Sequence, residues 1–492
     1  MLEKEVNPMK KKNWLFLGVA FIVFLLLCFL PTPAGLTLPG QRALALFAFA
    51  IILWITEAVS YTVSAALLVG LAALALGFAP NPDAPGELLG TGGALRLALG
   101  GFATPALALV AGALFIAAAM KITGLHKRLA LNVMARIGTR PSNLVLGIII
   151  VSTILAFFVP SATARAGAIV PIIMGIVQAL NLKKDSKLSA LLLITAILSI
   201  SFWNIGIRTA AAQNQVAIGF IQETMHLDVT WIDWLIYAGP WAVLMNLLLW
   251  FLAPRFFKVE DIPDQAGAAI QSQLEELGPM RAEEKKLALY SVILLLFWST
   301  EGLLHSVDAT TITLVVFSIM LLPKLGVFSW QDVQEGTAWG TLVVFAVGIS
   351  LGTILLNTGG AAWLADATLG HLGLERLPLV LVIALLSLMN ILIHLGFASA
   401  TSLASAFIPI VISLMGTLNY SPDTALGMVL IQQFVISFGF ILPVSAPQNM
   451  LAYGTGGYTA QELMKIGLPV TVIGYLLILV MAVVYWPLVG LL

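Results

Sequence analysis

Long apolar segments recur along almost the whole chain, and they constrain its fold more than any other feature. A transmembrane α-helix needs about 20 mostly apolar residues to cross a bilayer. Only 10% of the 492 residues are charged, against roughly 25% in a soluble domain, so lipid is the expected solvent. We therefore predict an all-α polytopic membrane protein with about 11 transmembrane helices. The predicted spans are 13–31, 41–58, 61–79, 103–121, 188–222, 229–253, 286–304, 309–323, 338–356, 424–455 and 464–490.

Two further apolar stretches, 142–178 and 378–415, are interrupted near their middles by small and polar residues. The interruptions read Pro160-Ser161-Ala162-Thr163 and Ala398-Ser399-Ala400-Thr401. Non-helical backbone at membrane depth is tolerated only where it is buried in protein or lines a watery cavity. We predict that each stretch is a re-entrant hairpin that turns back inside the membrane.

The distribution of Lys and Arg supports this count, because cytoplasmic loops of membrane proteins carry an excess of both. With a cytoplasmic N-terminus, the outer side receives only Arg42, Arg96 and Arg376. Of the 24 Lys and Arg, Arg165 and Arg208 remain inside the membrane. The sequence thus predicts a multi-pass protein of the cell inner membrane. The inner ends and loops receive Lys4, Lys10, Lys11, Lys12, Lys121, Lys127, Arg128, Arg136, Arg140, Lys183, Lys184, Lys187, Arg255, Lys258, Arg281, Lys285, Lys286, Lys324 and Lys465.

Short motifs occur twice along the chain, in the same order and at similar spacing. Each copy holds an odd number of crossings plus a hairpin, so the two copies are predicted to be inverted relative to each other. Inverted repeats with broken helices in matching places are typical of secondary transporters, which bind substrate near the midplane. We assign 1–39 to a tail and first helix, 40–253 to repeat 1, 254–285 to a cytoplasmic connector and 286–492 to repeat 2. The matching motifs are Trp54-Ile55-Thr56-Glu57 with Trp298-Ser299-Thr300-Glu301, Ser161-Ala162-Thr163 with Ser399-Ala400-Thr401, and Ile200-Ser201-Phe202 before Gln213-Asn214 with Ile436-Ser437-Phe438 before Gln448-Asn449.

The hairpin tips and two broken spans are expected to surround one cavity. A tip exposes the N-terminus of its returning helix, which favours an anion, and the tip hydroxyls suit carboxylate oxygens. Glycine or proline is expected to unwind the long spans within 204–209 and 443–447. A small-residue triplet alone more often packs helices, but the duplication favours a site. The candidate substrate-binding residues are Ser161, Ala162, Thr163, Arg165, Arg208, Thr209, His394, Ser399, Ala400, Thr401, Ser445, Ala446 and Pro447.

Arg165 and Arg208 carry most of the functional prediction. An arginine near the bilayer centre costs about 2.5 to 3.5 kcal/mol on insertion scales and needs a partner. The partner is either the substrate or a buried carboxylate or helix-end carbonyl. His394 has a comparable alternative as a packing residue, and Glu57 and Glu301 are interpreted as caps or ion pairs at span ends.

Other chemistries lack their sequence motifs. The chain contains no Gly-rich phosphate loop, no His or Cys cluster with metal-ligand spacing and no nucleophile elbow. We predict neither enzymatic activity, nor a cofactor or metal, nor a nucleic-acid partner. The polar stretch 261–284, with Ile270, Leu274 and Leu277 at helical spacing, is expected to lie along the cytoplasmic surface.

Taken together, the duplicated tips, the Ser161-Ala162-Thr163-Ala164-Arg165 motif and the 443–449 segment resemble the divalent anion/sodium symporter family. The likeness extends over essentially the whole chain and favours the exchanger branch, which includes 2-oxoglutarate/malate translocators and citrate/succinate antiporters. It implies a homodimer in the lipid bilayer, in which a transport domain moves like an elevator against a scaffold domain.

The chain departs from the sodium-coupled pattern of that family. The family triplets are typically Ser-Asn-Thr, and their asparagines help to hold sodium, whereas this chain has Ala162 and Ala400. The second unwound segment reads Ala446-Pro447-Gln448 in place of Thr-Pro-Pro. We predict sodium-independent exchange of C4 to C5 dicarboxylates such as 2-oxoglutarate, malate and succinate. The alternatives are a sodium-coupled di- or tricarboxylate symporter, an ion antiporter on a similar fold, and a membrane enzyme or scaffold.

Overall fold

The computed structural model describes residues 11–492 except 82–83, 85, 139, 258, 260–264 and 419. Lys4, Lys10 and Lys258 of the orientation argument lie outside the described residues. Over the described ranges the regular secondary structure is helical. The helices are α1 (Lys11–Phe29), α2 (Leu38–Thr56), α3 (Tyr61–Gly77), α4 (Gly90–Ala98), α5 (Pro105–Thr123), α6 (Leu125–Ile137), α7 (Pro141–Phe158), α8 (Ala162–Ala179), α9 (Lys187–Gly206), α10 (Ala212–Phe220), α11 (Trp231–Phe256), α12 (Gln265–Glu276), α13 (Ala282–Thr300), α14 (Ala309–Met320), α15 (Trp330–Gly336), α16 (Trp339–Asn357), α17 (Gly360–Leu369), α18 (Leu379–His394), α19 (Ala400–Thr417), α20 (Pro422–Ile436), α21 (Pro447–Tyr453) and α22 (Ala460–Val484).

The predicted membrane architecture is confirmed at the level of helices. Each predicted span contains a helix, and ten of the described helices are long and apolar enough to cross a bilayer. The spans 188–222 and 424–455 are each split into two helices, as expected. Each half of the first hairpin has 18 residues, about 27 Å of helix, so the hairpin is nearly as long as the hydrocarbon core is thick. The depth of its tip in the membrane stays a prediction.

Many helices begin at a Ser, Thr or Asp whose side-chain oxygen accepts a hydrogen bond from a backbone N–H three residues later. This arrangement satisfies one of the four N–H groups that a helix start leaves unpaired. Local sequence therefore fixes where these helices begin. The capping residues are Thr37, Ser60, Ser161, Ser186, Thr230, Asp308, Ser329, Ser421 and Thr459.

Short helices between the spans account for most of what the sequence analysis did not predict, namely α4, α6, α15 and α17. They are too short to stand out in a pattern of long apolar segments. The amphipathic connector helix was predicted, and α12 indeed buries Ile270, which is 1% exposed. The helix packs on α6 and α8.

The chain divides into two compact units, and each combines segments from both predicted repeats. The first unit consists of 1–104, 339–376 and 405–420. Within it, α16 packs on α2, α3 and α4, and a Cβ atom at Gly101 would lie 2.0 Å from the Ala346 carbonyl oxygen. The second unit consists of 105–338, 377–404 and 421–492. The repeat boundaries at 40, 254 and 286 divide the sequence and stay a prediction.

The duplicated tryptophan motifs make equivalent hydrogen bonds. Trp54 Nε1 donates to Ser64 Oγ at 3.1 Å, and Trp298 Nε1 donates to Thr313 Oγ1 at 3.1 Å. Each hydroxyl lies on the helix that follows the motif. At the end of the first motif, Glu57 adopts a left-handed conformation with φ of 49° and accepts a hydrogen bond from the Tyr61 hydroxyl, as expected for a residue at a span end.

Candidate functional site

The first hairpin tip joins α7 to α8 through residues 159–161. Ser161 caps α8, and its Oγ accepts a hydrogen bond from the backbone N–H of Ala164 at 3.2 Å. A serine hydroxyl keeps its own proton when it accepts a bond, so Ser161 can still donate to an anion. Ala162 is half-buried and Thr163 is exposed.

The second hairpin tip joins α18 to α19 through residues 395–399. The Ser399 Oγ accepts from the backbone N–H of Ser402 at 3.2 Å, which reproduces the cap made by Ser161. Ala400 and Thr401 are half-buried. The duplicated triplets therefore share their local structure, with a serine cap, a small residue and a threonine in the first helical turn.

The first helix break separates α9 from α10. Ile207 is extended, and Arg208–Ala210 forms one 3₁₀ turn. Breaking a helix leaves carbonyl groups unpaired, and here Asn214 compensates. Its Nδ2 donates to the carbonyl oxygens of Asn204 and Ile207, at 2.7 and 3.2 Å.

The second break separates α20 from α21 and has the same cap. Asn449 Nδ2 donates to the carbonyl oxygens of Gly439 and Leu442 at 2.8 and 3.3 Å. These acceptors precede Asn449 by ten and seven residues, as Asn204 and Ile207 precede Asn214. The prediction of unwinding at 443–447 was incomplete, because α20 already ends at Ile436. The asparagine cap holds the carbonyls of this earlier stretch and replaces the bonds of a continuous helix.

The two breaks are joined by reciprocal hydrogen bonds. Gln213 Nε2 donates to Ser437 Oγ at 3.2 Å, and Gln448 Nε2 donates to Ser201 Oγ at 3.1 Å. All four residues belong to the motifs that the repeat analysis aligned. A glutamine from each copy thus bonds the serine of the other copy, which confirms the predicted repeat at the level of side chains.

Arg165 lies in the first turn of α8 and is completely buried. Its Nη2 donates to Asn204 Oδ1 at 2.5 Å and to the Ala210 carbonyl oxygen at 2.9 Å, which links the first tip to the first break. Its Nε and Nη1 have no hydrogen-bond partner among the described residues. The guanidinium group is positioned by a helix-end carbonyl and an amide, and it keeps donors that are not used.

Arg208 is 6% exposed, and its Nη1 donates to the Val229 carbonyl oxygen at 2.6 Å. Glu301 is the carboxylate with the largest electrostatic effect on it, although the two do not form a contact ion pair. Of the two interpretations given to Glu301, the cap is favoured, because its carboxylate accepts a hydrogen bond from the backbone of Ala309 at the start of α14, and it forms no contact ion pair with Arg208.

The remaining predicted residues are divided between the two breaks. Thr209 Oγ1 accepts from Trp231 Nε1 at 3.1 Å and is buried. His394, at the end of α18, has Nε2 3.1 Å from the Ser445 carbonyl oxygen, so the second hairpin meets the second break there. Ala446 occupies the N-cap position of α21 without a side-chain cap and is 6% exposed, while Pro447 is exposed.

A cavity of about 350 Å³ opens at the first tip. Ser161 lines it from the tip, Thr163 and Ala164 line it from the first turn of α8, and Leu451 lines it from α21. A second space of about 20 Å³ is lined by Pro160, Thr209, Ala211, Ala212 and Gln215. Neither space is lined by Arg165, Arg208, His394 or the second tip.

Two basic residues of the larger cavity, Lys121 and His126, were not singled out as site residues by the sequence analysis. They lie where α5 ends and α6 begins, in a segment without a duplicated motif. Lys121 was assigned only to the positive inner loops. Its proximity to the tip depends on tertiary packing.

Comparisons with known proteins agree with this architecture. A family model described as the sodium:sulfate symporter transmembrane region matches residues 11–492. A membrane protein of Cupriavidus necator is 47% identical over 97% of this chain and 93% of its own length. An L-tartrate/succinate antiporter of Escherichia coli is 27% identical over 97% of this chain and 98% of its own length. A sodium-dependent dicarboxylate transporter of Staphylococcus saprophyticus is 25% identical over 96% of this chain and 90% of its own length.

Among solved structures, the crystal structure of the YdaH transporter of Alcanivorax borkumensis is similar in fold. The TM-score is 0.57 at 17% identity, over 89% of this chain and 99% of that one. The family match covers nearly the entire length, and its members are transporters rather than enzymes. The chain therefore belongs to the divalent anion/sodium symporter family.

Proposed function

We propose that this transporter exchanges C4 to C5 dicarboxylates, such as malate, succinate and 2-oxoglutarate, without sodium. The names of an L-tartrate/succinate antiporter and a sodium-dependent dicarboxylate transporter among its relatives support the substrate class. The choice between exchange and sodium symport rests on charge in the second unit.

The observation that carries the proposal is a pair of buried arginines without a carboxylate in contact. The ion pairs of the described residues are Arg128 with Glu284 and Arg376 with Glu375. Arg165 and Arg208 instead bond uncharged carbonyl and amide oxygens. A buried charge without a counter-ion is costly, so an anionic ligand nearby is stabilised.

The first tip provides the contacts that such an anion needs. A carboxylate at Ser161 meets a hydroxyl donor and the N-terminal end of α8, and the buried Arg165 follows in the same helical turn. The second tip repeats the cap with Ser399 and completes a site of two similar halves for the two carboxylates. Thr163 and Thr401 add hydroxyls, and the alanines between serine and threonine let the backbone come close.

The fixed arginine charge favours exchange over unidirectional transport. Sodium ions leave with a substrate, whereas a guanidinium group is covalently attached. An empty site must then return with its arginines unpaired, at about 2.5 to 3.5 kcal/mol for each arginine near the bilayer centre. A counter-substrate removes this penalty, so transport in one direction is coupled to transport in the other.

We further propose a homodimer in the inner membrane, with a cytoplasmic N-terminus and an elevator-like movement of the transport domain. Family resemblance supports the dimer and the movement. The asymmetry of Lys and Arg supports the orientation.

The test is uptake of labelled succinate into proteoliposomes, with and without malate inside and with sodium replaced by choline. We expect rapid uptake only with internal malate and no effect of sodium. Arg165→Lys should retain part of the activity, whereas Arg165→Met and Arg208→Met should lose it while remaining monodisperse in detergent. Equal uptake into empty vesicles refutes obligatory exchange.

A sodium-coupled symporter is the second candidate, favoured by the sodium-dependent relative and by the description of the matching family. Its sodium ion would be held by backbone carbonyls, since Ala162 and Ala400 carry no side-chain ligand. A sodium gradient that raises the final level of accumulated succinate selects this candidate.

A further inference from the structure

The cavity at the first hairpin tip contains more positive charge than the predicted site includes. Lys121, in the last turn of α5, and His126, in the first turn of α6, line the same space as Ser161 and Thr163. Its volume of about 350 Å³ lies within the usual range of about 300 to 1,000 Å³ for small-molecule sites. Most of the remaining lining is apolar, so the two basic groups and the tip hydroxyls are its main polar features.

The tautomer of His126 follows from its hydrogen bond. Nδ1 lies 2.5 Å from the carbonyl oxygen of Met120, and a carbonyl can only accept, so Nδ1 carries the proton. Nε2 therefore remains available to a ligand. It accepts a hydrogen bond when the ring is neutral and donates one when the ring is protonated.

The groups around His126 disfavour its protonated, charged form. Burial lowers the pKa of His126, the hydrogen bond to Met120 raises it, and the positive charges of Lys127 and Lys121 lower it further. A neighbouring space of about 140 Å³ is lined by His126, Lys127 and the uncharged Gln273 of α12. Among the described residues, the charged groups that act on the ring are the cations Lys127 and Lys121, and an arriving anion would oppose their effect.

We propose that Lys121 and His126 form an entry subsite. The subsite binds one carboxylate of the substrate before that carboxylate reaches the hairpin tip. The subsite rests on the proposed function. It extends that function, because it predicts that substrate entering from one face of the membrane binds to groups that are absent from the route on the other face. The positive-inside analysis assigns this face to the cytoplasm. Lys121 supplies a positive charge, and His126 becomes protonated as the carboxylate binds.

The test compares KM for succinate exchange in everted and right-side-out membrane vesicles. Lys121→Met removes the charge at nearly constant length, Lys121→Arg retains it, and His126→Gln cannot be protonated. Arg136→Ala is the matched control, since Arg136 is an exposed cation of the same α6 helix and lines neither cavity. Loss of a charge-assisted hydrogen bond should raise KM about tenfold with Lys121→Met, in one vesicle orientation only.

The pH dependence provides a second readout. The protonated ring binds the carboxylate, so the KM of the unmodified protein on that face should rise with pH. The rise should begin below about pH 6.5, because the pKa of His126 is lowered from its ordinary value. His126→Gln should remove this rise, and Lys121→Arg and Arg136→Ala should preserve it. A KM that changes equally in both orientations, or in neither, overturns the subsite.

Failure of the subsite can be separated from failure of the exchange mechanism. Absence of counterflow by the unmodified protein overturns exchange. Calorimetric titration of the purified protein with succinate then tests whether Lys121 contributes to binding of the substrate. Weaker binding by Lys121→Met than by Arg136→Ala supports the subsite, and equal binding refutes it.

Discussion

Replacing Asn204 by aspartate tests whether the fixed charge of Arg165 makes exchange obligatory. Asn204 is 4% exposed, and its Oδ1 already accepts from Arg165 Nη2 at 2.5 Å. The substitution changes the amide to a carboxylate of almost the same shape. It therefore gives Arg165 a permanent counter-ion without moving the backbone.

The expected magnitude follows from the cost of the unpaired arginine. Two opposite charges in contact attract by about 4 kcal/mol at an effective dielectric constant of 20, enough to offset the insertion cost of about 2.5 to 3.5 kcal/mol. That cost corresponds to about two orders of magnitude in the rate of empty return. Uptake of succinate into vesicles without internal substrate should therefore rise about 100-fold with Asn204→Asp. The affinity for succinate should fall, because one of two positive charges is neutralised.

The assay measures initial uptake with and without internal malate, and Asn204→Ser is the control that removes the amide without adding charge. The serine variant should keep the requirement for internal malate. Size-exclusion chromatography of each variant checks that the protein is folded. Dependence on internal malate that is unchanged in Asn204→Asp would show that Arg165 does not limit the empty return.

Three further predictions concern coupling and stability. Replacing all sodium by choline should leave the rate of malate/succinate exchange unchanged, and a requirement for sodium contradicts the exchange mechanism. Gln213→Leu leaves the buried hydroxyl of Ser437 without its donor, so the free energy of unfolding should fall by about 1 to 3 kcal/mol. The thermal midpoint in detergent should fall accordingly, and an unchanged midpoint argues against the reciprocal bond. Gly101→Ala places a methyl group 2.0 Å from the Ala346 carbonyl oxygen and should lower the thermal midpoint. Gly100→Ala is the control, because its methyl group meets no atom within 4 Å and should leave the midpoint unchanged. Equal midpoints of the two variants contradict the close packing at Gly101.

The helical framework and the duplicated site motifs were accessible from sequence because each depends on local composition. Apolar length predicts a span wherever it occurs, and a serine before a helix predicts its cap, as at Ser161. The start of the second break was not accessible. Its unwound carbonyls, such as that of Gly439, are held by Asn449, and an amide ten residues away leaves no periodic signal.

Contacts between residues that are far apart in the sequence were the second feature that the sequence could not predict. Arg165 was identified as an intramembrane cation, but its acceptor Asn204 is 39 residues away on another helix. Lys121 and His126 reach the first tip through the packing of α5 and α6. Neither contact is encoded in a motif, since each depends on how separate helices are oriented.

The reciprocal glutamine bonds have a mechanical consequence. Because Gln213 bonds one break and Gln448 bonds the other, sliding either unwound segment past its neighbour stretches both bonds together. Separation of the two segments at one hydrogen bond is therefore resisted by the other hydrogen bond. The two unwound segments are therefore expected to move together as a rigid pair. The path of the substrate then depends on the helices that pack around this pair.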